Sequence, residues 1–141
     1  MHEYDLERFV KAQANAYQTA LEEIKNGQKR SHWMWYIFPQ LDGLGFSSMA
    51  QYYGISGLQE AAEYLKHKLL GARLIEISQA LLMLETNDAT KVFSWPDNMK
   101  LKSSMTLFAQ VENAPAVFQN VIDKFFAGVQ DEKTLEILSG K

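Results

Sequence analysis

The sequence predicts an all-α fold, on three observations. Apolar residues recur at three- and four-residue spacing through most of its length. No stretch alternates apolar and polar residues long enough for a strand. The breaks between segments carry the hydroxyls, carboxylates, prolines and glycines that start and stop helices. The expectation is one compact globular domain over residues 1–141, built of about eight or nine helices.

Residues 6–26 read as one long amphipathic helix, with Leu6, Phe9, Val10, Tyr17, Ala20, Leu21 and Ile24 on one face, Asp5 as its cap and Gly27 as its stop. At about 100° per residue Gln13 falls inside that apolar stripe, so its amide is expected either bonded within the fold or exposed in a pocket. Ser31 is placed to cap a short helix over residues 32–38, which Pro39 ends. After a loop over 40–46 with two glycines, Ser47 and Ser48 can cap another short helix to Tyr53. Ser56 and Gln59 have capping-box spacing. Leu58, Ala61, Ala62 and Leu65 then form the inner stripe of a helix whose other side carries Glu60, Tyr64 and a solvated His67.

Residues 69–84 are the most hydrophobic segment. Leu70, Leu74, Ile77, Leu81 and Leu84 make one face, Ile75 and Leu82 the other, as in a central helix. Arg73 borders the main stripe, where its guanidinium either snorkels to water or meets a carboxylate, Glu60 being the first candidate. Asn87 can cap a short helix to Phe93, and Trp95-Pro96-Asp97 reads as a turn opening a helix over 99–110. Pro115 starts the next helix, Gly128 closes it, and Asp131 caps a last one through Leu138.

Composition excludes several functions. A hydrophobic fraction of 47% with 22% charged residues is that of an ordinary soluble globular protein. A net charge of −3 offers no general attraction to nucleic acid or to an anionic membrane, and neither partner is expected. Without cysteine there is no disulfide, thiolate nucleophile or thiolate metal site. Three histidines without paired spacing argue against a metal, and no cofactor is expected. Neither a Gly-x-Ser-x-Gly elbow nor a Rossmann fingerprint occurs. The opening MHEYDLERF is charged from its third residue and lacks the apolar stretch of a leader, and no apolar run reaches the roughly twenty residues of a membrane span. Cytoplasmic residence is the default expectation.

Chemistry concentrates in residues 29–48, KRSHWMWYIFPQLDGLGFSS. His32, beside Lys29 and Arg30 and among aromatics, suits a general acid-base or a donor to a bound anion, and equally a packed histidine bonded to backbone. Trp33 and Trp35 lie on different sides of a helix, so at most one faces a ligand; Trp33 is assigned to it, with Gln40 nearby. The Gly43–Ser48 turn precedes a helix start, where N–H groups and the Ser47 hydroxyl favour an anion or simply cap the turn. A second polar cluster contains Asp97, Lys100 and Ser104, with Ser104 at the edge of the buried face. Glu60 and Asp97 are the carboxylates able to act as acid or base, and Arg73 completes the set.

The residues also carry a family resemblance. Phe9 with Ala12-Gln13, Glu23-Ile24, Lys29 through Trp35, Ile37 through Gln40, Leu44-Gly45, Tyr53, Glu60-Ala61, Tyr64-Leu65, Gly71-x-Arg73-Leu74 and Ser103 through Phe108 match a pattern nearly end to end. On them the chain resembles the family of domain of unknown function 1810, to some members of which a calpastatin-like label attaches. The resemblance implies a compact helical fold and brings no catalytic residues. The calpastatin label conflicts with the sequence, because such inhibitors are extended and disordered whereas this chain has a core to bury. In the spacing of an aromatic-rich site before a Glu-Ala helix, the chain is also similar to helical proteins that hydrolyse the N-glycosidic bonds of ADP-ribose.

Cations, hydroxyls and aromatics together suit a phosphorylated or nucleotide-like small molecule, and hydrolysis of a nucleotide or ADP-ribose type of substrate is the reaction they would support. The alternative is a non-enzymatic interaction module that presents the Trp-rich segment 32–38 as an apolar patch.

Overall fold

The computed structural model describes residues 4–141; the first three residues of the MHEYDLERF opening lie outside them. The described chain forms ten helices: α1 Glu7–Gln13, α2 Tyr17–Lys25, α3 Met34–Ile37, α4 Ser48–Tyr52, α5 Leu58–Lys66, α6 Lys68–Leu82, α7 Ala89–Phe93, α8 Asp97–Ala109, α9 Val117–Phe126 and α10 Glu132–Ser139. Among the described residues no strand forms. An isolated parallel bridge joins Leu41 to Ile55, with Asp42 N donating to Ile55 O at 2.8 Å and Ile55 N to Gln40 O at 2.9 Å.

The count exceeds eight or nine because the single helix expected over 6–26 is two. Between them Ala14 N turns to Lys11 O and Ala16 N to Gln13 O, tightening the chain, and Ala16 leaves the helical region at φ −123°. Asn15, a weak helix former, sits between the two alanines, and packing of both short helices against α6 accompanies the break. Gln13 takes the first of its two expected fates. Fully buried, it donates to Tyr36 O at 2.7 Å and Tyr64 Oη at 3.0 Å.

α6 packs against α1, α2, α5 and α9, as its two apolar faces require. α8 is as central: Leu101 and all of Ser103 to Phe108 are buried, and it packs on α5, α7, α9 and α10. The α5 face carrying Glu60 and Tyr64 turns inward, not to solvent; both are buried, Tyr64 edge-on to Phe9 and against Phe108.

Several helix ends differ from expectation. Ser47 and Asp131 cap α4 and α10 as their spacing predicts. Gly27 and Gly128 follow α2 and α9 at φ 77° and 80°, conformations a side chain would strain. Asp88, not Asn87, caps α7. Ser56 N is satisfied by Glu60 Oε1 at 2.7 Å in place of Gln59. α1 starts without a side-chain cap, the Asp5 carbonyl accepting from Arg8. His67 is no idle surface group: its Nδ1 accepts from Leu69 N and Leu70 N at the start of α6.

Candidate functional site

Residues 28–33 cross from α2 to α3 and are organised by Glu23, on the last turn of α2. Buried to 9% exposure, its carboxylate accepts from Arg30 N at 2.7 Å, Ser31 N at 3.0 Å, Ser31 Oγ at 2.6 Å and Trp33 Nε1 at 2.9 Å. Burial by itself would raise the Glu23 carboxyl. The bonds from Ser31 Oγ, Arg30 N, Trp33 Nε1 and Ser31 N outweigh burial and lower it from 4.5 to about 2. Ser31 therefore serves Glu23, not a helix cap, and α3 starts later, after Trp33. Trp33, assigned to a ligand on the sequence, is core: 1% exposed, against Phe38 and Phe93.

Held by this loop, Lys29 donates its backbone N–H to Val92 O at 2.7 Å and points its side chain at α8. Its ammonium meets Asp97 Oδ2 at 2.9 Å and the Ser31 carbonyl at 2.6 Å, 5.0 Å from the Trp33 ring centroid. Lys100, one turn into α8, meets the other oxygen, Asp97 Oδ1, at 3.3 Å and lies 4.9 Å over the Trp35 ring. Two ammonium groups thus share one carboxylate. Lys29 is nearly buried at 8% side-chain exposure, while Asp97 and Lys100 remain reachable at 20% and 25%. Arg30 and His32 are exposed on the same loop. Trp35, Gln40, Gly45, Ala50 and Tyr53 enclose a void of only about 10 Å³, which brings Gln40 and the glycine turn to Trp35 without opening room for a ligand.

The other predicted residues lie in different networks. Glu60 pairs with Arg8 at 3.1 Å through Oε2 and accepts from Ser56 N through Oε1, a buried arrangement that commits both oxygens and removes it from acid-base work beside Asp97. Arg73, expected to meet Glu60, instead donates to Gln13 Oε1 at 3.3 Å and lies 4.9 Å over the Tyr17 ring. Arg8 takes the carboxylate because it also bonds Tyr52 O and Gly54 O beside Glu60. Tyr17 in turn donates to Glu76 at 2.5 Å, and burial, then Glu76, push its hydroxyl well above the ordinary phenol range. The Ser47 hydroxyl accepts from Ala50 N at 3.1 Å, so it is committed to capping.

Ser104 is buried to 0% exposure, and among the described residues its hydroxyl has no hydrogen-bond partner. It is inside the core, not at a pocket edge. A buried donor left unmade is destabilising, so Ser104→Ala is expected to raise stability by about 1 kcal/mol, read as a higher urea midpoint at unchanged m-value. A midpoint lowered by the substitution would mean that the hydroxyl is bonded in solution.

Within residues 32–38, Trp33, Met34, Ile37 and Phe38 are all buried, so that segment is not an apolar docking patch. Large exposed side chains lie instead at Phe46, Tyr52 and Trp95. Surface cavities of about 700 and 560 Å³ also lie elsewhere, the first along α5 and the α8–α9 loop, the second where Asp5 and Glu7 face Lys66 and His67. Neither is lined by a residue of the predicted set. Reading the sequence alone missed Glu23, Arg8, Trp35 and Trp95. Glu23 had a signal: it lies three residues after Ala20 and one before Ile24, on the border of the buried stripe. No described helix is long and apolar enough to cross a membrane, and no described group of His, Asp or Glu side chains is placed to hold a metal.

Fold and site define a helical protein whose polar clusters mainly stabilise its core, with a cluster at Lys29, Asp97 and Lys100 that is partly exposed through Asp97 and Lys100. The chain belongs to the family described as protein of unknown function DUF1810, whose model matches residues 3–138. It is similar to a solved structure, the conserved hypothetical protein Rv1873 from Mycobacterium tuberculosis, at 45% identity over 98% of this chain and 99% of that one, with a TM-score of 0.95. No curated protein matches it.

Proposed function

We propose that the protein is a small-molecule binding domain that takes a phosphorylated or nucleotide-like anion at Lys29, Asp97 and Lys100. One observation carries this reading: two ammonium groups converge on one carboxylate, leaving a cation uncompensated at a partly desolvated site. Charge there is screened less than at a free surface, and Arg30 and His32, exposed on the same loop as Lys29, offer further donors. Against a net charge of −3, this is a local positive spot. Binding is better supported than hydrolysis of a nucleotide or ADP-ribose type compound. Both Asp97 oxygens are taken by lysines and Glu60 is committed to Arg8, which leaves His32 as the acid-base.

Calorimetric titration with inorganic pyrophosphate and with ADP-ribose tests the reading. Binding is expected to weaken as salt is raised, and Lys100→Ala is expected to weaken it about tenfold, the loss of one charge-assisted contact. His32→Ala is expected to have a smaller effect. No heat at millimolar ligand, or unchanged affinity in Lys100→Ala, would overturn it.

A further inference from the structure

We propose that Trp95 is the platform for a flat ring carried by the anion that Lys29 and Lys100 hold, so that the ligand class is a ring-bearing phosphate, of which a nucleoside diphosphate is a simple form. This rests on the anion-site reading above.

The three tryptophans have different fates. Trp33 is core, and Trp35 is half-buried under Lys100, but Trp95 is 75% exposed. Among the described residues no aromatic ring or cation covers its indole, whereas both other indoles have such partners. An indole in water forgoes the burial that drives folding, so its position must be imposed by the chain. Here it is imposed. Ser94, immediately before it, sits in the left-handed region at φ 64°, with its N–H on Thr90 O at 2.8 Å. Asn98 N returns to Ser94 O at 2.9 Å, and Asn98 Nδ2 reaches Thr90 Oγ1 at 3.0 Å. The turn is closed from both sides, and Trp95 stands on it with its backbone already ordered. Little conformational freedom would then be lost when a ring settles on it.

Lys29 ties this turn to the cations. Its backbone bonds Val92 O, ahead of Trp95, and its ammonium bonds Asp97, behind it, so one residue spans the turn. Trp95 is two residues from Asp97, which holds their Cα atoms within about 7 Å of each other. That separation is within the span of one small molecule that carries both a phosphate and a ring. Stacking on an indole is tolerant of ring identity, and cations beside it select for negative charge. Together they distinguish a ring-bearing phosphate from either half alone.

Calorimetry on the full chain with pyrophosphate, adenosine and ADP tests this. ADP is expected to bind about tenfold or more tighter than pyrophosphate, the scale of one base stacked on an aromatic side chain. Trp95→Ala is expected to bring ADP down to the pyrophosphate level while leaving pyrophosphate unchanged, and Trp95→Phe to retain most of the advantage. Circular dichroism of the variants checks that the helices persist. Equal affinities of the wild type for ADP and pyrophosphate, or an ADP advantage that survives Trp95→Ala, would overturn the ring platform and leave the anion site standing. Loss of pyrophosphate binding in a folded Trp95→Ala would also overturn it, because Trp95 would then serve the phosphate. If neither phosphate binds at millimolar concentration, the anion site and this inference fall together.

Discussion

Replacing Glu23 with alanine is expected to destabilise the protein by about 4 kcal/mol, the largest effect of any single polar substitution outside the ion pairs. Four donors lose their acceptor at once. The Arg30 and Ser31 groups are near enough to the surface to find water, but the Trp33 indole N–H is sealed in the core and cannot. Because these bonds go to a charge, each is stronger than a neutral one, and their loss is not additive. Glu23→Gln keeps an acceptor for Trp33 and should cost roughly half as much. Chemical denaturation of both variants checks the order. An alanine variant within about 1 kcal/mol of wild type would show that the 28–33 loop is held by something else.

The same carboxylate makes the protein acid-sensitive in a defined window. Its pKa falls from 4.5 unfolded to about 2 folded, so the unfolded state binds the proton more readily. The contribution is fully present above about 4.5 and is lost as pH falls from there through about 2. A shift of that size corresponds to about 3 kcal/mol, in line with the mutational estimate. Glu23→Gln should flatten the acid limb of stability against pH, and an unchanged limb would assign it to other carboxylates.

Gly71→Ala is expected to cost on the order of 3 kcal/mol, although helix propensity alone predicts a gain of about 1 kcal/mol. Gly71 lies in the first turns of α6, which follows α5 after a single residue, His67. A β-carbon there would stand 2.1 Å from the Leu65 carbonyl oxygen and 2.9 Å from its carbon. Both belong to the backbone of α5, so no side chain can rotate away and the corner itself must open. Thermal and urea unfolding decide the sign: a more stable alanine variant would show that the corner relaxes freely.

Most of the helical architecture was legible because periodicity and capping act over a few residues. The inner faces of α6 and α9, the Ser47 and Asp131 caps and the Gly27 and Gly128 stops follow from neighbours within about one turn. The break at residues 14–16 did not, because Ala14 and Ala16 favour continuity, Asn15 opposes it only by a small propensity, and packing of α1 and α2 on α6 accompanies the break. Pairing was equally illegible. Arg8 and Arg73 carry the same charge and both lie more than ten residues from Glu60, so only the approach of α1 to α5 selects Arg8. Of the proposed site, the sequence by itself determined that cations and aromatics crowd into residues 29–35 and that Asp97 and Lys100 belong to one polar cluster around a helix start. Which tryptophan is core, which carboxylate is committed and which lysines meet was decided by tertiary structure. A buried polar group takes whatever partner the assembled fold brings within about 3 Å, and that distance is set by elements far apart in the chain.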